Sequence, residues 1–163
     1  MRRTVLSPLL VLVLASAAAA QTKISGTTQC GKPDPQHMIP VGDRANHAFG
    51  ISKNKCTWPK PFEIAGAQSK DDEGTNFAEI TGNSASDRGY VVGTMSNGDK
   101  SIVRYQGKST LKDGVPQSGE GTWSFAGGTG KLKGIKGKGT YKGKAAADGS
   151  MTYEIEGDYQ LPK

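Results

Sequence analysis

The chain is expected to fold as an all-β protein, an eight-stranded antiparallel β-barrel. Three observations carry this. Glycine is dense toward the C-terminus, with eight between Gly127 and Gly149. That density suits tight turns, bulges and close backbone approach, and it disfavours helix. Apolar and aromatic residues recur in short runs and alternate with polar ones, as half-buried strands require. Asn97-Gly98 stands between two such runs, the strongest short-range hairpin signal a sequence offers.

The first segment reads as a leader. Arg2 and Arg3 form a basic start, Leu9 to Leu14 is an unbroken apolar run, and Ala15 to Ala20 supplies small residues of the kind a signal peptidase reads. Cleavage after Ala20 would leave Gln21 first. The apolar run is too short to span a bilayer, and the rest of the chain holds no second candidate for a transmembrane segment. The pair Arg2-Arg3 also fits a twin-arginine signal, so the export route stays open. The expected organisation is a signal peptide over 1–20 and a single β-barrel domain over 21–163. The chain is then exported, periplasmic or secreted.

Strand character follows in order along the remainder. Ile24 to Cys30 is short and polar-rich, suited to an edge or first strand. Lys32 to Ala45, with three prolines, reads as a long structureless connection. His47 to Trp58 alternates Phe49 and Ile51 with small or polar neighbours, and Phe62 to Ser69 alternates Phe62, Ile64 and Gly66. Lys70-Asp71-Asp72-Glu73-Gly74 reads as a polar turn. Asn76 to Gly82 carries Phe77 and Ile80, a pair that suggests a bulge. Tyr90 to Met95 and Ser101 to Gln106 flank the Asn97-Gly98-Asp99 turn. Gly121 to Phe125, Gly139 to Lys144 and Ser150 to Leu161 complete eight or nine strands. Closure into a barrel removes the edges that so many short strands would expose.

Cys30 and Cys56 are the only cysteines. In an exported chain the default is one disulfide between them. Reactive thiol chemistry would need a thiolate beside a base, and neither Thr28-Gln29-Cys30-Gly31 nor Asn54-Lys55-Cys56-Thr57 shows one. Two cysteines and two histidines also lack paired metal-ligand spacing, so no metal and no cofactor is expected.

The run Gly127-Gly128-Thr129-Gly130-Lys131-Leu132-Lys133-Gly134-Ile135-Lys136-Gly137-Lys138-Gly139 resembles the glycine-rich turn of the allene oxide cyclase-like and dirigent-like barrels. There an aromatic strand leads into the glycines, a short helical turn follows, and a further strand continues. The ending Tyr153-Glu154-Ile155-Glu156-Gly157 is similar to that superfamily's last hairpin. The resemblance implies an eight-stranded antiparallel cup, calycin-like in shape. Many bacterial members are exported without an assigned activity. No catalytic residue carries over, because this sequence has no matching motif for one.

The glycine-rich run lacks the Lys-Ser/Thr and long helix of a phosphate loop, and a dinucleotide site would need a βαβ unit. Lys131, Lys133, Lys136, Lys138, Lys142 and Lys144 form a basic run that could hold a polyanion weakly through Lys131–Lys144, or could simply solvate a barrel rim. One tyrosine, Tyr141, is too little aromatic interleaving for specific nucleic-acid binding. Glu154, Glu156 and Asp158 alternate with Tyr153, Ile155 and Tyr159, so the acids are expected outside and the apolar set inside. Val103 and Tyr105 share one face of their strand, and Arg104 and Gln106 the other.

The expected function is that of an exported small barrel binding a small apolar ligand or a surface partner. Candidate ligand-binding residues are Phe49, Phe62, Phe77, Arg104, Tyr105 and Trp123. The alternative is a cyclase-like or dirigent-like enzyme that shapes a reactive intermediate. Fold analogy alone is a weak warrant for a reaction, so the protein is read as a binder before an enzyme.

Overall fold

A computed structural model describes residues 21–162; the expected signal peptide, residues 1–20, lies outside the described residues. Period-two alternation is satisfied in ten strands: β1 (Thr22–Cys30), β2 (Gln36–Pro40), β3 (His47–Lys60), β4 (Glu63–Ile64), β5 (Ala67–Thr81), β6 (Ser84–Met95), β7 (Lys100–Lys112), β8 (Val115–Gly128), β9 (Lys136–Ala145) and β10 (Met151–Gln160). The only helical piece among the described residues is a 3₁₀ turn, Gly130–Leu132, inside the glycine-rich run. No helix there is long and apolar enough to cross a membrane.

Eight strands close the barrel. The order β3-β1-β10-β9-β8-β7-β6-β5 returns to its start through β3–β5 pairing, and every pairing is antiparallel. The β1–β3 seam is the weakest: three registered pairs with a bulge between Thr27 and Gln29. The disulfide sits at this seam. Cys30 and Cys56 face each other directly, with an S–S bond of 2.01 Å and Cα atoms 4.0 Å apart. Gly31 N–H donates to the Lys55 carbonyl one pair further on. The cysteines therefore occupy a non-hydrogen-bonded position, where opposite Cα atoms come closest.

The structure departs from expectation in four segments. Phe62 to Ser69 is not one strand but the tight β4–β5 hairpin, turning at Ala65 and Gly66, both at positive φ. Residues 32–45 are not structureless, because β2 lies there and runs along β3 beyond the end of β1. Lys53 N–H donates to the Pro35 carbonyl and Val41 N–H to the His47 carbonyl. Odd-numbered residues of β2 thus bond to β3, and Pro40, which has no N–H, faces the free edge where it forfeits nothing. Residues 70–74 are not a turn but the middle of β5, with the bulge between Ser69 and Asp71. Asp71 and Glu73 point outward, Glu73 to an ion pair with Lys53, while Asp72 points in. No bulge is needed at Phe77 and Ile80, which lie on opposite faces. The Asn97-Gly98 turn is present, with Gly98 at φ +86° and its N–H bonded to the Met95 carbonyl.

On β10 the alternation holds. Tyr153, Ile155 and Tyr159 face inward and are half-buried, while Glu154 and Glu156 are exposed. Asp158 departs from its expected exposure. It is half-buried, paired across the ladder with Lys138, and its Oδ2 lies 3.6 Å from Lys23 Nζ. Ile155 packs against the core cluster. Ile155→Ala should lower stability by about 2 kcal/mol, the low end for a core truncation of a half-buried side chain. Glu156→Ala should stay within about 0.5 kcal/mol. Urea unfolding of the pair reads the difference, and equal losses would mean the face assignment is wrong.

Candidate functional site

One end of the barrel is filled. Ile64, Met95 and Leu132 are almost wholly buried there, with Ile24, Ala67, Trp123 and Ile135 around them. Leu132 comes from the 3₁₀ turn, so the glycine-rich run acts as a plug. The rest of the interior is a cavity of about 240 Å³, lined among others by Asn54, Trp58, Phe62, Asp72, Asn76, Asp87, Tyr105, Trp123, Tyr141 and Tyr153. Asp87, Ser109, Tyr141 and Tyr153 keep partial exposure, which marks the open end of the cup.

The cavity exists because of the glycines. Inward positions beside each large ring are glycine, and the ring lies over them. A Cβ on Gly89 would meet Tyr105 Oη at 2.7 Å, one on Gly121 would meet Tyr141 Oη at 2.7 Å, and one on Gly139 would meet Trp123 Cζ2 at 2.7 Å. Tyr153 lies over Gly143 in the same way, and Trp58 lies over Gly26. Rings laid against the wall leave the centre open, where upright rings would fill it. The rings then meet edge to face: Tyr105 with Tyr141 at 6.0 Å and 87°, and Tyr141 with Tyr153 at 5.9 Å and 76°.

Polar atoms converge on the same space. Ser109 Oγ donates to Asp87 Oδ2 at 2.6 Å, and Tyr141 Oη donates to Asp87 Oδ1 at 3.3 Å. Tyr105 Oη donates to Asn76 Oδ1 at 2.9 Å. Burial raises the Asp87 carboxyl above its ordinary range, and the Ser109 and Tyr141 hydroxyls pull it back. Burial raises the phenols of Tyr105 and Tyr141 far above their usual value and that of Tyr153 to about 12, with the Asp87 charge adding to each. All three are therefore neutral hydrogen-bond donors at physiological pH.

Asp72 stands on the wall of the same cavity. Burial pushes its carboxyl up to about 6 and the nearby Asp71 charge adds to this, while the Trp58 indole opposes it. That N–H is itself buried without a formed hydrogen bond, so it faces the carboxyl but does not satisfy it. The folded state holds a proton on Asp72 that the unfolded chain has already released. Stability from this group is thus fully present below the ordinary carboxylate pKa of 3.8 and declines as pH rises to about 6. Asp72→Asn should stabilise the protein by up to about 3 kcal/mol at pH 7.5 and by little at pH 4. Urea midpoints at the two pH values test this; an equal effect at both would separate Asp72 from the titration.

Phe62, Tyr105 and Trp123 line the cavity. Phe49, Phe77 and Arg104 do not: they lie on the outer face. Parity explains it. Tyr105 and Asn76 face inward, which sends Arg104 and Phe77 out, and β3 is held with Cys56 inward against Cys30, which sends Phe49 and Ile51 out. Outside, Phe49 stacks on Phe77 at 5.6 Å with Arg88 over the Phe77 ring. The basic run is dispersed. Lys131 and Lys133 sit at the plugged end, and Lys142 lies between Glu120 and Glu154 on neighbouring strands. Asp72, Asp87, Asn76, Ser109 and Tyr141 were not singled out from the sequence as site residues. Counting back by two from Val91 through Gly89 would have placed Asp87 inside.

No family model matches the chain, and no curated protein matches it. Among solved structures it is similar to a protein of unknown function of the DUF3224 family from Shewanella oneidensis MR-1, at 14% identity and a TM-score of 0.47, over 88% of this chain and 99% of that one. It is also similar to the pterocarpan synthase dirigent protein GePTS1, at 14% identity and a TM-score of 0.48, over 88% of this chain and 92% of that one.

Proposed function

We propose that the chain is an exported binding protein that holds a small ligand, largely apolar or aromatic, inside the barrel. The observation that carries this is the open lumen of about 240 Å³, walled by flattened rings and edged by hydrogen-bonding groups. Ligand pockets are typically concave, mostly apolar and furnished with a few placed polar groups. The bridged cysteines and the leader-like residues 1–20 support export.

Both tryptophans of the chain, Trp58 and Trp123, border the lumen. Their fluorescence should respond saturably to one-ring ligands. Val91→Phe, which adds a ring inside the lumen, should abolish the response. A response unchanged in that variant would place binding elsewhere and end this reading.

A second reading is an enzyme that shapes a reactive intermediate. It draws on the Asp87 carboxyl, raised by burial and bonded by Ser109 and Tyr141 in the same space. Ligand recovered chemically unchanged from saturated protein supports binding alone; altered ligand supports turnover.

A further inference from the structure

The lumen has a charge pattern opposite to that of the chain as a whole. The sequence carries 21 lysines and arginines against 15 aspartates and glutamates. Yet the residues lining the cavity include no lysine, arginine or histidine, and they include Asp72 and Asp87. Two carboxyls in a partly dry space with no cation beside them are costly to ionise. Asp87 has two hydroxyl donors, and Asp72 has only the indole N–H that faces it without closing a hydrogen bond.

The rings complete the pattern. Each packs against glycines of the wall and borders the lumen. An aromatic face carries partial negative charge and attracts a cation placed over it. A cation beside Asp87 that reaches the face of Tyr105, Tyr141 or Tyr153 gains this attraction as well.

We propose that the lumen selects a small organic cation, an amine or ammonium whose charged head lies beside Asp87 and whose apolar part lies against the rings around it, Tyr105, Tyr141 and Tyr153. This rests on the reading of the lumen as a binding site and adds the charge of its occupant. An anion there would meet the Asp87 carboxyl and no counter-charge. A neutral ligand would leave that carboxyl uncompensated.

Benzylammonium, benzyl alcohol and benzoate have nearly the same size and differ in charge, so tryptophan fluorescence titrations with the three isolate the charge. Benzylammonium should bind about tenfold or more tighter than benzyl alcohol, and benzoate should not saturate. Asp87→Asn should narrow the gap between cation and alcohol. If that variant fails to fold, the wild-type ranking still decides. Val91→Phe should remove cation binding, and cation binding retained in it would move the site to the surface and overturn the proposal. Alcohol binding as tightly as the cation overturns the charge preference and leaves the lumen as a site. Failure of all three probes overturns both.

Discussion

Gly139→Ala should destabilise the protein by about 3 kcal/mol or more, at the upper end for overpacking. The added methyl would stand 2.7 Å from Trp123 Cζ2 and 2.7 Å from the Gly157 Cα, and closer still to the Glu156 carbonyl oxygen. The ring could swing away only into the lumen, and the two backbone atoms belong to β10 and cannot rotate aside. Gly127→Ala is the control: its methyl would meet nothing nearer than Ile102 Cδ1 at 3.9 Å. That substitution should stay within about 0.5 kcal/mol. Urea unfolding of both variants, with near-ultraviolet circular dichroism to follow the tryptophans, gives the comparison. Equal stability would mean that ring-on-glycine packing does not hold the lumen open.

Removing the disulfide should cost about 3–4 kcal/mol, the chain-entropy figure for cysteines 26 positions apart. For a domain of this size that lowers the thermal midpoint by roughly 10 °C. The loss should be local before it is global, because the bridge lies on the seam with only three registered pairs. Hydrogen exchange on the Cys30→Ala, Cys56→Ala double variant should show β1 and the C-terminal half of β3 losing protection first. Uniform loss across all strands would instead make the seam no weaker than the rest.

Much of the frame was legible in the residues. Asn97-Gly98 gave its hairpin, the glycine-rich run gave its 3₁₀ turn, and Cys30 and Cys56 gave their bridge. The faces of β10 followed from simple alternation. The site was less legible, for a physical reason. Residues 70–74 have the composition of a turn, yet a strand tolerates such residues where alternate side chains reach solvent or a partner, as Glu73 does with Lys53. Phe49 and Phe77 looked like interior residues because aromatic side chains usually are. Their parity is set by the cross-strand Cys56–Cys30 contact and by the inward pull of Asn76 toward Tyr105. The interior aspartates were hidden for the converse reason: an acid in a strand ordinarily faces water.

The position of β1 governs how such a chain can assemble. It is the first strand along the described chain, and its two neighbours are β10 and β3. An emerging polypeptide can zip β3, β5 and β6 through β9 into a curled sheet by successive hairpins, but the ring cannot shut until its last strand arrives. Until then the earliest segment has one full flank vacant, and the growing sheet offers an open border to other chains. Closure therefore comes late and depends on contacts between distant ends of the sequence, which makes folding slow by topology. A factor that shields unpaired strands until the ring closes would matter more for this protein than for one built from neighbouring helices.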